Sequence, residues 1–264
     1  MLNDPKANKV RGVAKLTKKD ARSTTGLFLL EGPQGLKEAL DRPKLIVELY
    51  ATEEAVERYP ELVERAKAAR IEVQLVTEPV LKALSDTTSP QGVVAVCQQL
   101  DVSLDAVIAS KPRLVALLSN IRDPGNAGTV LRAADAAGAD AVIFTNNSVD
   151  VYNPKVVRST TGSLFHLPLV IDADLESTID ALKAAGLQVF AANGGGDDLP
   201  TLGSEALAKP TAWVFGNEAW GFEPETLKLV DRQVGVPIYG AAESLNLATA
   251  ASICLYASAF AQNA

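Results

Sequence analysis

The chain has few of the residues on which much protein chemistry depends. It contains one histidine and two cysteines among 264 residues, and we see no cluster of His, Cys, Asp or Glu at metal-ligand spacing, so we expect no metal site. Cys97 and Cys254 both lie in apolar stretches, which favours buried thiols over a disulfide or metal ligands. The histidine, His166, sits in an apolar run beside a predicted strand. That setting is more typical of a structural side chain than of a general base.

Long apolar runs are also missing. No run reaches the roughly 20 residues that cross a bilayer, and the charged start lacks the apolar core of a signal peptide. The composition is globular, with 47% hydrophobic and 22% charged residues. We therefore expect a soluble, cytoplasmic protein with one large or two ordinary domains. No G-x-G-x-x-G follows a predicted strand, which disfavours a nucleotide-dependent dehydrogenase.

Charge is distributed unevenly along the chain. The whole chain carries −7, yet residues 1–25 carry seven basic side chains against two acidic ones, a net charge of +5. The candidate RNA-binding residues of this arm are Lys9, Arg11, Lys15, Lys18, Lys19 and Arg22. A basic arm on an acidic body is a cue for polyanion binding, and a solvated, partly mobile terminus is the equally weighted alternative.

Residues 24–98 show the pattern of a small α/β unit. Strands are predicted over residues 28–30, 45–50, 71–77 and 92–98, and helices over residues 34–39 and 53–70. We assign residues 1–98 to the basic arm and a small α/β domain, and residues 99–112 to a linker.

From residue 113 to residue 264 strands and helices alternate, which predicts a parallel sheet covered on both faces. Strands are predicted over 113–118, 141–145, 167–171, 188–192, 211–215 and 233–238. Helices are predicted over 127–137, 154–160, 175–185, 224–230 and 247–260. The last helix has no charged residue and is apolar all round, so it is buried either by a partner subunit or by its own domain.

Three polar, glycine-containing turns follow apolar runs in this second region. They occupy residues 120–132 (NIRDPGNAGTVLR), 215–221 (FGNEAWG) and 236–246 (VPIYGAAESLN). Turns at the carboxyl ends of neighbouring parallel strands form the ligand cleft of open α/β sheets. The predicted cleft contains Asn126, Arg132, Glu218, Ser244 and Asn246. The glycine run after Asn193 either lines the same cleft or forms a mobile loop.

Each turn also has an ordinary structural interpretation. Asn126 can serve only as a helix cap, and Arg132 can pair with Asp135 on a solvated helix. The second turn alone is a weak pattern. Ser244 or Asn246 can cap the last helix, and we expect capping and ligand contact to coexist there.

Together the three segments resemble the SpoU family of RNA ribose 2′-O-methyltransferases, in the SPOUT superfamily. The matching patterns are N-x-R-D-P-x-N-x-G-x3-R from Asn120, G-N-E-x2-G from Gly216, and P-x2-G-x3-S-L-N from Pro237. They occur in order over residues 113–264. The run from Phe28 (FLLEGP) resembles the start of the family's N-terminal substrate-binding domain, which is similar to a ribosomal protein.

The resemblance implies S-adenosylmethionine as methyl donor. Because its sulfonium becomes a neutral thioether on methyl transfer, no metal is needed to hold a leaving group. It implies a homodimer with the active site at the subunit interface and a deep trefoil knot in the C-terminal α/β domain. It implies catalytic roles for the five cleft residues named above, with Arg132 central. The implied cofactor-binding residues are Phe215, Gly216, Asn217, Gly221, Ile238, Leu245 and Asn246.

Because arginine is a poor proton acceptor, we prefer Arg132 as a clamp on an RNA phosphate and the ribose hydroxyl. In this interpretation Asn126 orients the ribose or Arg132, and Glu218 holds Arg132 or the RNA. The family suggests 23S ribosomal RNA as substrate. Transfer RNA and a non-catalytic RNA-binding module of the same fold are the alternatives.

Overall fold

The computed structural model describes residues 1–264 and divides them into two compact units. The first unit comprises Met1–Leu100 with Asp150–Phe165, and the second comprises Asp101–Val149 with His166–Ala264. The strands are β1 Leu27–Glu31, β2 Ile46–Ala51, β3 Val73–Leu75, β4 Val93–Gln98, β5 Leu114–Leu118, β6 Ala141–Thr145, β7 Leu169–Ala173, β8 Gln188–Asp198, β9 Thr211–Phe215 and β10 Arg232–Gly235.

The helices connect these strands throughout. They are α1 Asn8–Ala14, α2 Lys19–Thr25, α3 Pro33–Ala39, α4 Glu53–Arg58, α5 Pro60–Ala68, α6 Glu78–Leu84, α7 Leu104–Ala109, α8 Pro124–Ala136, α9 Pro154–Thr160, α10 Leu175–Ala184, α11 Gly203–Leu207, α12 Pro224–Leu229 and α13 Leu247–Gln262. Short 3-10 turns occupy Lys15–Thr17, Pro43–Leu45, Ser163–Phe165 and Leu199–Leu202.

The first unit is built on a mixed four-stranded sheet in the order β1-β4-β2-β3. Strand β4 pairs antiparallel with β1 and β2, whereas β2 and β3 are parallel. The basic N-terminal segment is folded onto this unit, because Val10, Val13 and Leu16 are buried in the same core as residues of β1, β2, β4 and α6. The alternative of a partly mobile terminus is therefore wrong.

The segment Asp150–Phe165 belongs to the first unit through specific contacts. Asp150 accepts a hydrogen bond from Arg22 Nε at 2.9 Å, and Arg158 Nη1 donates to Glu31 Oε1 at 2.8 Å. The rings of Phe28 and Tyr152 lie 4.9 Å apart. Sequence periodicity places this segment among the later elements and gives no sign of its long-range partners.

The second unit contains a six-stranded sheet in the order β10-β8-β9-β5-β6-β7, with every pair parallel. All residues of β5, β6 and β9 are buried, as expected for central strands of a sheet covered on both faces. This confirms the prediction of a parallel α/β domain following a smaller α/β domain. The trefoil knot stays a prediction.

The structure corrects several predicted elements. The single helix predicted over 53–70 is two helices, because Pro60 begins a new helix after Tyr59 leaves the helical conformation. Helices α1, α2, α6 and α11 were not predicted. The segment 99–112, predicted to be a linker, contains α7. None of the helices is long and apolar enough to cross a membrane.

The last helix, α13, is buried on one side only. Its small residues face the sheet, where Trp213 Nε1 donates to Ser258 Oγ at 2.9 Å. On the outer side Ile253 and Phe260 keep 38% and 70% of their surface exposed. Its own domain therefore covers half of the helix and leaves an apolar stripe uncovered.

Candidate active site

The three predicted turns converge at the carboxyl ends of β5 and β9. The first follows β5, where the amide of Ser119 donates to the carbonyl of Phe215 at 2.8 Å. The second follows β9 directly, and the third precedes α13. Because β5 and β9 are parallel neighbours, their ends bring the first two turns together at one edge of the sheet.

Glu218 joins the second turn to the first. Its carboxylate accepts hydrogen bonds from the backbone amides of Arg122 at 3.1 Å and Asp123 at 3.0 Å. Asn126 Nδ2 lies 3.4 Å from the same carboxylate. A carboxylate that accepts backbone N–H groups at the start of α8 is favoured by the helix dipole. Glu218 therefore fixes the turn that starts α8.

Asn126 joins the first turn to the third. Its side-chain oxygen accepts a hydrogen bond from Asn246 Nδ2 at 3.0 Å. Asn246 also caps α13, because its Oδ1 accepts from the amides of Ala248 and Thr249. Capping and side-chain contact thus coexist at Asn246. Asn126 itself is not the cap of α8, since Asp123 accepts from the Asn126 amide at 2.7 Å.

Asn217 closes the second turn into a small rigid loop. Its backbone exchanges two hydrogen bonds with Gly221, at 2.8 and 2.9 Å. Its buried side chain donates to the carbonyl of Asn120 at 2.7 Å and accepts from the amide of Ala219 at 2.8 Å. The loop presents Glu218, Ala219 and Trp220 at its tip. Its form depends on Asn217, a residue with no obvious partner in the sequence.

A cleft of about 320 Å³ lies beside this loop. Gly216, Asn217, Glu218, Gly221, Ser244 and Leu245 are among its lining residues. A side chain at Gly216 would place Cβ 2.5 Å from the carbonyl oxygen of Gly221, so the loop can fold there only around glycine. The size lies at the lower end of the range for small-molecule pockets, about 300–1,000 Å³.

The glycine-rich segment after Asn193 lines the same cleft as an irregular, unpaired part of β8. It continues β8, whose pairing with β10 skips residues 192–196 and resumes at Asp197. Asn193 and Gly194 line the cleft, and Asn193 Nδ2 donates to Gln233 Oε1 at 3.0 Å. At Gly196 a Cβ would lie 2.2 Å from the backbone of Gln233, so close strand approach requires this glycine.

These features suit S-adenosylmethionine. Val234, Val236, Phe222 and Leu245 provide apolar walls for a flat adenine ring. Backbone groups of Ala192–Gly194 and Gly216 lie along the cleft and can bind polar groups of a ligand. No group of three or more His, Cys, Asp or Glu residues is arranged to hold a metal ion.

Arg132 lies on the exposed side of α8 and forms no hydrogen bond or ion pair within the chain. It does not line the cleft. Six residues along a helix turn a side chain by about 240° relative to Asn126, which explains the separation. The alternative pairing with Asp135 is wrong, because Asp135 contacts His166 Nδ1 at 2.7 Å. His166 is thus engaged with an acidic partner.

The remaining predicted residues lie as follows. Phe215 is fully buried in β9, Ile238 is 39% exposed, and neither lines the cleft. The predicted roles of all these residues remain predictions. The sequence pattern does not reveal the capping role of Asp123, the loop-closing role of Asn217 or the cleft residue Val234 of β10. It does reveal the glycine run after Asn193, which is predicted as one of two alternatives to line the cleft.

The prediction that Arg22 binds RNA is wrong. Arg22 is 2% exposed, and its guanidinium binds Asp150 and the carbonyl of Leu16, so it is not available to a polyanion. The other five residues, Lys9, Arg11, Lys15, Lys18 and Lys19, are exposed. The sequence does not reveal this pairing, because the acidic partner of Arg22 lies 128 residues away.

The parallel α/β fold and the cleft together suit an S-adenosylmethionine-dependent methyltransferase, and comparison with known proteins gives the family. Residues 113–256 match the SpoU rRNA methylase family, and residues 29–102 match the RNA 2′-O ribose methyltransferase substrate-binding domain. The chain belongs to the SpoU rRNA methylase family.

Known methyltransferases are similar to this chain over nearly its full length. The 23S rRNA (guanosine(2553)-2′-O)-methyltransferase RlmP of Bacillus subtilis is 36% identical over 97% of this chain and 97% of its own. The S-adenosylmethionine-bound rRNA methyltransferase of Sinorhizobium meliloti has a TM-score of 0.85 at 30% identity, covering 97% of this chain and 96% of its own. The methyltransferase AviRb of Streptomyces viridochromogenes with the same cofactor gives 0.83 at 30% identity, covering 96% and 98%.

Proposed function

We propose that this protein transfers a methyl group from S-adenosylmethionine to a ribose 2′-hydroxyl of 23S ribosomal RNA in the cytoplasm. The observation that carries the proposal is the hydrogen-bonded chain Glu218–Asn126–Asn246, which unites the three family motifs beside a cleft of cofactor size. The full-length similarity to 23S rRNA 2′-O-methyltransferases supports the choice of substrate.

The methyl donor belongs in the 320 Å³ cleft. Bound there, S-adenosylmethionine supplies an electrophilic methyl group on a positively charged sulfur. The chain supplies orientation and shelter from water through the residues that line the cleft, among them Gly216, Leu245 and Asn193 of β8. Ser244 and Asn217 provide polar side chains on its wall.

As the ribose oxygen takes up the methyl group, its hydroxyl proton passes to solvent water, and the oxygen needs a group that stabilises it while the O–H bond breaks. Arg132 is the best candidate, because its guanidinium is exposed and has no partner within the chain. A guanidinium can bind a phosphate and the developing alkoxide together, which lowers the energy of the transition state. Asn126 and Asn246, already hydrogen-bonded to each other, then orient the ribose beside it.

Arg132 reaches a cleft when the protein forms a homodimer through α8 and α13. Tyr256 of α13 donates to the carbonyl of Ala136, one helical turn beyond Arg132 on the same side of α8. The uncovered stripe of Ile253, Tyr256 and Phe260 thus continues onto the helix side that carries Arg132. A partner that covers the stripe also contacts Arg132, so the guanidinium of one protomer serves the cleft of the other.

RNA recognition falls to the first unit. Lys9, Arg11, Lys15, Lys18 and Lys19 are exposed on a short stretch of folded helix and turn. Phosphate contacts from such side chains supply sequence-independent affinity for RNA. An acidic protein that concentrates positive charge here therefore directs RNA to this surface.

The test is methyl transfer from labelled S-adenosylmethionine to purified 23S, 16S and transfer RNA, each transcribed without modifications and supplied separately. We expect label in 23S RNA, in a 2′-O-methylated nucleotide whose 3′ phosphodiester bond resists alkaline hydrolysis. Label only in transfer RNA would show that transfer RNA, and not 23S RNA, is the substrate. Label in no RNA would contradict the proposal.

A further inference from the structure

A second, smaller cavity lies on the other side of the Gly216–Phe222 turn. It measures about 190 Å³, and its lining includes Ser119, Asn120, Thr145, Asn146, Asn147 and Trp220. Gly221 and Phe222 line both this cavity and the cofactor cleft, so one thin wall separates them. Neither the cofactor nor the ribose chemistry proposed above uses this space.

Trp220 stands at this cavity with 54% of its surface exposed, whereas the other tryptophan, Trp213, is fully buried. The closed loop held by Asn217 and Gly221 fixes the backbone that carries Trp220. An exposed indole on a rigid loop offers a flat face that costs little entropy to use. Nucleobases stack on such faces irrespective of sequence.

The polar lining suits a nucleobase more than a phosphate. The side-chain amides of Asn146 and Asn147 are exposed and form no hydrogen bond within the chain. An amide offers both donors and acceptors, as the edge of a base requires. No Lys or Arg lines the cavity, and Glu223 does, which disfavours an anion.

The size of the cavity also suits a nucleobase. The cavity measures about 190 Å³, against about 320 Å³ for the cofactor cleft. It therefore suits a smaller ligand than the cofactor, such as a single planar heterocycle. A ring seated there is adjacent to the cleft that holds the methyl donor.

We propose that Trp220 and the amides of Asn146 and Asn147 bind one unpaired nucleobase of the RNA substrate, in the cavity beside the cofactor cleft. The inference rests on the proposed function. RNA is recognised mainly through unstacked bases that are splayed onto aromatic side chains and hydrogen-bonded at their edges. Seating one base here positions the neighbouring ribose for methyl transfer.

The test uses full-length protein and 23S RNA transcribed in vitro. For Trp220→Ala we expect the dissociation constant for this RNA to rise about 5- to 150-fold, the range for loss of one stacked base. The dissociation constant for S-adenosylmethionine should change less than about twofold, because Trp220 does not line that cleft. Trp220→Phe keeps an aromatic face and should retain most of the affinity. Asn146→Ala should weaken RNA binding without altering the loop.

Tryptophan fluorescence gives a direct signature. RNA should quench the emission of the wild-type protein through Trp220, and should leave the emission of Trp220→Phe, which comes from buried Trp213 alone, unchanged. Unaltered RNA affinity of Trp220→Ala in an otherwise active enzyme would overturn this inference and leave the proposed function intact. So would a change of sedimentation without a change of RNA affinity, which would make Trp220 an interface residue. A wild-type protein that methylates no RNA would instead remove the proposed function.

Discussion

Asn126 and Asn246 are 120 residues apart in sequence, and their side-chain amides are joined by a hydrogen bond of 3.0 Å. Asn246 simultaneously caps α13, and Asn126 lies within reach of Glu218. One short network therefore ties the start of α8, the turn after β9 and the start of α13. Substitution of any residue in this network should disturb both the turns at the carboxyl ends of the strands and the cleft beside them.

Removal of the Glu218 carboxylate tests this network. In Glu218→Ala the amides of Arg122 and Asp123 lose their acceptor. We expect the free energy of unfolding to fall by about 1 kcal/mol, the usual loss for a helix-start acceptor, and affinity for S-adenosylmethionine to fall with it. Thermal unfolding and calorimetric titration measure the two effects.

Glu225→Ala is the matched control for that variant. Glu225 pairs with Lys228 on the exposed surface of α12 at 2.9 Å, and such pairs contribute little. Equal effects of the two substitutions would show that Glu218 does not hold the turn.

The buried arginine of the first unit should affect stability and not RNA binding. Arg22→Ala leaves Asp150 without its partner, and removal of one member of a buried pair costs about 3 kcal/mol. We expect a large drop in unfolding midpoint in urea, while RNA affinity of the folded protein is unchanged.

The exposed lysines should show the opposite pattern. A triple substitution of Lys15, Lys18 and Lys19 by alanine should leave the urea midpoint within error and weaken RNA binding, with a shallower dependence on salt. RNA dissociation constants of the wild type and the triple variant, measured at several salt concentrations, test this prediction. Loss of RNA affinity in folded Arg22→Ala alone would reverse these assignments.

The uncovered stripe of α13 predicts the oligomeric state. Phe260→Glu introduces a charge at a side chain that is 70% exposed in the single chain. We expect the wild-type protein to sediment as a dimer and this variant as a monomer without methyl transfer, because burying an unpaired charge is costly. Val47→Glu, at an exposed apolar residue of β2, is the control and should remain dimeric. A monomeric, active wild type would contradict the interface.

The two thiols should resist alkylation in the folded protein. Burial raises the pKa of both Cys97 and Cys254 to about 12. At pH 8 only about one in 10⁴ of such thiols is ionised, and the thiolate is the reactive form. Iodoacetamide should therefore label neither cysteine until urea unfolds the chain. The folded protein thus binds the thiol protons more tightly than the unfolded chain does. Burial of the neutral thiols therefore stabilises the fold fully below about pH 9, and this stabilisation is lost as the pH rises from about 9 to about 12. Rapid labelling of native protein at pH 8 would show that these thiols are accessible.

The sequence was sufficient for much of the sheet and for the turns that approach each other. Strands 141–145 and 211–215 have their predicted bounds, because strongly apolar runs between turns leave few alternatives. The three turns were identifiable because polar residues and glycines interrupt those runs.

Long-range pairing was beyond the sequence. No residue near Arg22 in sequence indicates that it pairs with Asp150. Likewise, no residue near Asn217 indicates that it donates to the carbonyl of Asn120. Pro60 is a local signal for the break between α4 and α5, but the residues on both sides of it have a helical pattern that favours one continuous helix. Arg132 lies outside the cleft of its own chain because of the rotation of α8, which no local sequence pattern specifies.

The most direct measurement compares methyl transfer and cofactor binding in Arg132→Ala. Because Arg132 has no partner within the chain and lies outside the cleft, the substitution should leave folding and S-adenosylmethionine affinity close to wild type. The rate of methyl transfer in a single turnover with 23S RNA should fall by at least about 100-fold, as for loss of a group that stabilises a developing oxyanion. Arg65→Ala, which removes an exposed ion pair with Asp41, should leave the rate unchanged. A comparable loss of cofactor binding and methyl transfer, or an undiminished rate, would contradict the assignment of Arg132 to the ribose oxygen.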